Sequence, residues 1–252
     1  GAWAFESCAN LVSVTLPESL VTVGHSLFMG CASLTNVTLP SCMRQTGINA
    51  FYGCTSLTSI TLPAGLTSID QGAFTNCSSL ASISMPAGLK SLGFSAFSGC
   101  TSLKSVALPS TLSSIGIYAF LNCTGLTSVT LSSGLNSIGS AAFRGCTSLV
   151  SIALPSGLPS VGDNAFRGCA SLASITFASG LTGIETYAFA ECAALRNLVL
   201  PNGLVSVGTA AFQDCTGLTS VTLPASLNST GDVTFAGCTN LTSVTLSSSV
   251  MS

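Results

Sequence analysis

Cysteine recurs every 23 residues without a slip, at Cys8, Cys31, Cys54, Cys77, Cys100, Cys123, Cys146, Cys169, Cys192, Cys215 and Cys238. A period of this length held through eleven units points to a solenoid, in which each unit is one coil stacked on the next. Phe recurs three residues before each of these cysteines, from Phe5 to Phe235. Leu recurs three residues after each, from Leu11 to Leu241. The consensus unit reads A-F-x-G-C-T-S-L-T-S-V-T-L-P-x-x-L-x-S-I-G-x-x.

Two hydrophobic rhythms alternate within the unit. In Leu126, Val129 and Leu131 the V-x-L alternation predicts a short strand with one face inward. Ala119, Phe120 and Cys123 fit one helical turn with its apolar side inward. Before the cysteine stands a residue that tolerates positive φ in most units: Gly30, Gly53, Asn76, Gly99, Asn122, Gly145, Gly168, Asp214 and Gly237. Proline follows the strand in eight units, as at Pro63, Pro109 and Pro201, and stops it because it has no N–H for a ladder. Stacked, the units predict an α/β solenoid: one parallel sheet, short helical turns opposite, coils roughly 4.8 Å apart and an array about 50 Å long.

Only 6% of residues are charged, against about 25% in an ordinary domain. Ser, Thr, Asn, Gly and Ala must therefore make the surface. The net charge is −2 and the six Lys and Arg stand singly, which argues against nucleic acid or an anionic membrane as partner. No apolar run reaches 18 residues, so no membrane-inserted helix is expected. The chain opens in mid-repeat at Gly1-Ala2-Trp3-Ala4-Phe5, with no visible signal peptide, and stops at Ser252, one residue short of eleven units. It reads as one solenoid over 1–252, a window on a longer uncapped array.

The pattern A-F-x-x-C-x-x-L-x-x-V-x-L-P-x-x-L-x-x-I-G resembles the BspA-like leucine-rich repeats, the Treponema pallidum-type class, along the whole chain. That resemblance implies an arc with its parallel sheet on the concave side. It also implies a secreted or cell-surface location and adhesion to host or matrix proteins. It brings no catalytic residue, because the motif is structural. Two units depart from it. Thr46 takes an Ile position after the irregular Ser41-Cys42-Met43-Arg44-Gln45, and Thr230 does the same in a unit where Thr234 replaces Ala. Looser packing is expected in both.

The cysteines admit three readings: a column of buried free thiols, disulfides between adjacent coils, or metal ligands. An odd number in one unbroken column does not divide into pairs. Zinc prefers clustered pairs of ligands to a line of single thiols. Cys42 lies off the column and is the candidate reactive thiol.

The outward strand positions form two hydroxyl-rich columns. The candidate binding face comprises Ser59, Thr61, Ser82, Ser84, Ser105, Thr127, Ser128, Thr130, Ser151, Ser174, Thr176, Ser220 and Thr222. The alternative is a plain solvated face in which Thr serves β-propensity. Asn36, Asn76, Asn122, Asn228 and Asn240 head N-glycosylation sequons, relevant if the chain is secreted from a suitable cell.

For catalysis the inventory is thin. His25 is the only histidine and has no acid or nucleophile placed to work with it. The near-register pairs Asp163/Glu185 and Glu191/Asp214 read as solvated carboxylates, or as sharing a cation such as calcium. Arg144 and Arg167 stack as a short basic column. No catalytic, cofactor or metal site is expected. The leading reading is a non-enzymatic extracellular or cell-surface scaffold for adhesion, binding a protein or glycan. The alternatives are a protomer that stacks end to end into a fibre or stalk, and ice binding through the Ser/Thr face.

Overall fold

The coils stack in parallel and in register. The computed structural model describes residues 1–247, so the expected end of the array at Ser252 lies outside the described residues. The expected strand forms in every unit, for example Ser105–Ala107, Ser128–Thr130, Ser151–Ala153 and Ser174–Thr176. Partners are 23 residues apart, as in Val106 with Val129 and Ala107 with Thr130. The strands end before the proline turns, and the Pro109 carbonyl accepts the N–H of Leu112 at 3.0 Å.

A second parallel ladder was not legible in the sequence. It is built from two-residue strands such as Ser91–Leu92, Ser114–Ile115 and Ser137–Ile138. Ile115 pairs with Ile138 at the same 23-residue step. Two residues are too few to show an alternation, which is why the single-sheet expectation fell short. In the coil of Thr46 this ladder shrinks to one bridge, between Gln45 and Ser68.

The expected helical turn is absent. No helix occurs among the described residues, and the Ala-Phe-x-x-Cys segment is a run of β-turns. Ala96, Ser98 and Cys100 donate to the carbonyls three residues back, at 3.3, 3.1 and 3.1 Å. Ser95, Phe97 and Gly99 instead donate to Ile117, Ala119 and Leu121 of the next coil, at 2.9, 2.8 and 2.8 Å. Backbone donors that a helix would keep for itself are thus spent between coils. Left-handed residues make this possible. Gly99 (φ +74°) and Asn122 (+56°) occupy the position expected to tolerate positive φ, and Glu191 (+63°) stands there too. A second left-handed column four residues earlier was not foreseen; it includes Trp3, Tyr118, Tyr187 and Val233.

The core is a set of ladders. The Phe rings stack in one column, with Phe120 5.4 Å from Phe97 and 5.2 Å from Phe143, within 6° of parallel. Cys31 through Cys215 on the 23-residue column are buried, as are most of the inward Leu, Val and Ile, while others such as Val14, Leu131 and Ile175 are partly buried. Thr46 is fully buried rather than loosely held: its hydroxyl accepts the N–H of Asp70 at 2.9 Å. The Asp70 carboxylate in turn accepts the N–H of Gly47 at 2.8 Å. Thr234 is also buried and donates to the Gly231 carbonyl at 2.7 Å. Thr230 is exposed.

The glycine after the second strand marks a close approach between coils. A methyl on Gly116 would lie 2.6 Å from the carbonyl oxygens of Leu92 and Gly93. Gly116→Ala is therefore expected to cost about 1–3 kcal/mol, the range for overpacking. Chemical denaturation of the variant measures this, and an unchanged midpoint would contradict the close approach.

Candidate interaction surface

Strand pleating turns the Val and Ile of the first ladder inward and the flanking hydroxyl residues outward. Ser59, Thr61, Ser82, Ser84, Ser105, Thr127, Ser128, Thr130, Ser151, Ser174 and Thr176 are exposed, while Ser220 and Thr222 are half-buried. Thr127 differs from the others in that its hydroxyl donates to the Lys104 carbonyl at 3.0 Å. Thr35 and Thr219 do the same one coil apart, to Val12 and Arg196. That register staples coils together and is the least free to meet a ligand.

All five sequon asparagines are exposed. The Asn240 side-chain amide donates to the Thr216 carbonyl at 2.7 Å. Asn76 and Asn122 sit in left-handed turns with a buried cysteine in the middle of the sequon. Asn36 and Thr38 both face outward from one strand.

One ion pair forms among the described residues. Arg167 holds Glu191 at 2.7 Å and lies 4.9 Å from the centre of the Tyr187 ring. Asp163 accepts the N–H of Thr186 at 3.1 Å. No group of three metal-ligating side chains comes together among the described residues. His25 is exposed.

The thiol column is fully free. Each buried thiol points at a carbonyl of the preceding coil. Cys123 Sγ lies 3.1 Å from the oxygen of Phe97, which also accepts the N–H of Cys100 at 3.1 Å. The contact recurs from Cys31 to Cys238. Cysteine is thus a small apolar filler that also donates, which alanine or valine at this register would not do. Burial pushes the thiols of Cys54, Cys123 and Cys169 up to about 12. It drives those of Cys77, Cys100, Cys146 and Cys192 well above their ordinary value. Cys42 is half-buried, its thiol 3.3 Å from the Glu18 carbonyl.

A family model described as the BspA type leucine rich repeat region (6 copies) matches residues 1–104, 67–196 and 160–252. The chain belongs to this family. Solved BspA-type and related leucine-rich repeat structures agree. A leucine-rich repeat protein of T. pallidum is 35% identical, with 73% of this chain and 78% of that one covered and a TM-score of 0.53. One from Bacteroides ovatus is 28% identical, covering 97% and 81%, at 0.52. A leucine rich cell surface protein of Faecalibacterium prausnitzii is 27% identical, covering 95% and 80%, at 0.54. No protein of curated function matches the chain. Family membership explains the ladders as the shared product of the repeat. It leaves the outward residues, which differ from coil to coil, to distinguish this member.

Proposed function

We propose that this chain is a non-enzymatic scaffold displayed outside the cell, which binds a protein or glycan through its exposed first-ladder face. The observation that carries the reading is the exposed outward column Ser59, Ser82, Ser105, Ser128, Ser151 and Ser174 on six successive first-ladder strands, in a chain with one ion pair among the described residues, Arg167 with Glu191. A regular rigid face of this kind positions many weak polar contacts at once, and their sum depends on register. The cell-surface description of the F. prausnitzii relative supports display outside the cell. Asn36, whose side chain leaves the same face, is the sequon where an attached glycan would most directly mask binding.

The test is a triple replacement, Ser105→Arg, Ser128→Arg and Ser151→Arg, measured by adhesion of protein-coated beads to matrix and epithelial surfaces. All three positions are exposed, so the fold should survive. At least a tenfold loss of adhesion is expected. Undiminished adhesion would rule out this face. Negative-stain images showing filaments built from chain multiples would favour the fibre reading instead.

A further inference from the structure

The aromatic side chains that leave the core are not on the strand faces. The inward registers account for eleven stacked Phe and Phe177; the five remaining aromatics are Trp3, Tyr52, Phe94, Tyr118 and Tyr187. All five stand on the ridge of β-turns, within the segments that carry the left-handed residues. Arg144 and Arg167 stand on the same ridge. Trp, Tyr and Arg are the residues that most often dominate binding energy, and neither strand face carries an aromatic among its outward positions.

The middle of this ridge has a definite shape. Phe94 and Ile117 are each 45% exposed. Tyr118 meets Phe94 edge-to-face, centroids 5.4 Å apart at 86°, so the two rings form a corner rather than a flat patch. Exposed Arg144 and half-buried Asn164 follow in the next two coils. Tyr118 holds φ +58° and Tyr187 +56°, a backbone region where Asn or Gly would be easier and a bulky side chain costs about 1 kcal/mol. Asn49 and Asn164 show that the register accepts the easier residue. The chain therefore holds these two half-buried tyrosines on the ridge at a backbone cost.

We propose that this corner, Phe94, Ile117 and Tyr118, with Arg144 in the next coil of the ridge and Asn164 in the coil after that, is a carbohydrate-binding site. The inference rests on the reading of the chain as a displayed scaffold, and adds a second surface and a ligand class to it. The C–H bonds of a pyranose ring carry partial positive charge, which the electron-rich face of an aromatic ring attracts. Amide and guanidinium donors nearby suit the hydroxyls around the sugar ring. A protein partner fits less well. A stable protein interface needs about 800 Å² per side around an apolar centre, and the corner is bordered by small polar residues such as Ser95, Ser98 and Ser140. A polyanion needs clustered cations, and Arg167 is already paired with Glu191.

The test borrows replacements from the chain's own registers: Phe94→Gln as at Gln71, Ile117→Thr as at Thr186, and Tyr118→Asn as at Asn164. The triple variant should melt no lower than the parent, because Asn relieves the left-handed tyrosine. Both proteins, with the Ser105/Ser128/Ser151 arginine variant, are applied to a printed array of neutral, uronic-acid-containing and sialylated oligosaccharides. Hits are checked by saturation-transfer NMR. The expected result is glycan binding by the parent and the arginine variant, and at least a tenfold loss in the ridge variant. Equal binding by the ridge variant, or no glycan bound by the parent, overturns the inference. A parent that adheres only to protein surfaces overturns it while leaving the scaffold reading in place.

Discussion

Raising the pH from 8 to 10 under reducing conditions is expected to collapse the stability of this protein. Burial pushes up the pKa of eight thiols of the column: Cys54, Cys123 and Cys169 to about 12, and Cys31, Cys77, Cys100, Cys146 and Cys192 in the same direction. The unfolded chain releases these protons near pH 8.5. Below that pH both states hold them and nothing is lost. Above it the unfolded state sheds protons that the folded state keeps, so unfolding is favoured by ~1.4 kcal/mol per pH unit for each thiol. At pH 10 the first three thiols alone amount to roughly 6 kcal/mol, comparable to the whole stability of a typical domain. Thermal melts should be level from pH 6 to 8 and fall steeply above 8.5. Cys123→Ser should flatten the alkaline limb. A melting temperature that holds to pH 10 would mean that the thiols are not sealed from water.

Phe120→Ala is expected to cost about 3–5 kcal/mol, the upper range for emptying a core site. The ring is fully buried and stacks on both neighbours, so truncation leaves a cavity and breaks two aromatic contacts. Position along the array sets the cost. Phe5, stacked on Phe28 alone and 38% exposed, should lose much less when replaced by Ala. A solenoid holds each coil only through its neighbours, so the central lesion should also broaden the transition as the two halves unfold apart. Urea denaturation of both variants decides this. A loss below 1 kcal/mol at Phe120, or equal losses at Phe120 and Phe5, would break the account.

The sequence by itself determined the stacking. An unbroken 23-residue period brings identical positions into contact, so the Phe, Cys and Leu columns, the inward Val and Ile of the first ladder and the family all follow from counting. It also located one left-handed column, because Gly, Asn and Asp mark it directly. Tertiary structure decided where the backbone donors go. Apolar residues spaced as in Ala119, Phe120 and Cys123 suit a helical turn and a run of β-turns equally. The choice depends on whether the N–H of Phe120 bonds within its own coil or to Ala142 in the next, and here it bonds to Ala142 at 2.7 Å. The second left-handed column has no such regular mark: Asn49, Gly72 and Asn164 favour positive φ, but the Ser, Ala, Tyr and Val that fill most of its other positions do not. The same stacking sets half-buried Tyr118 edge-on against Phe94, joining residues 24 apart into a surface that no local pattern announces.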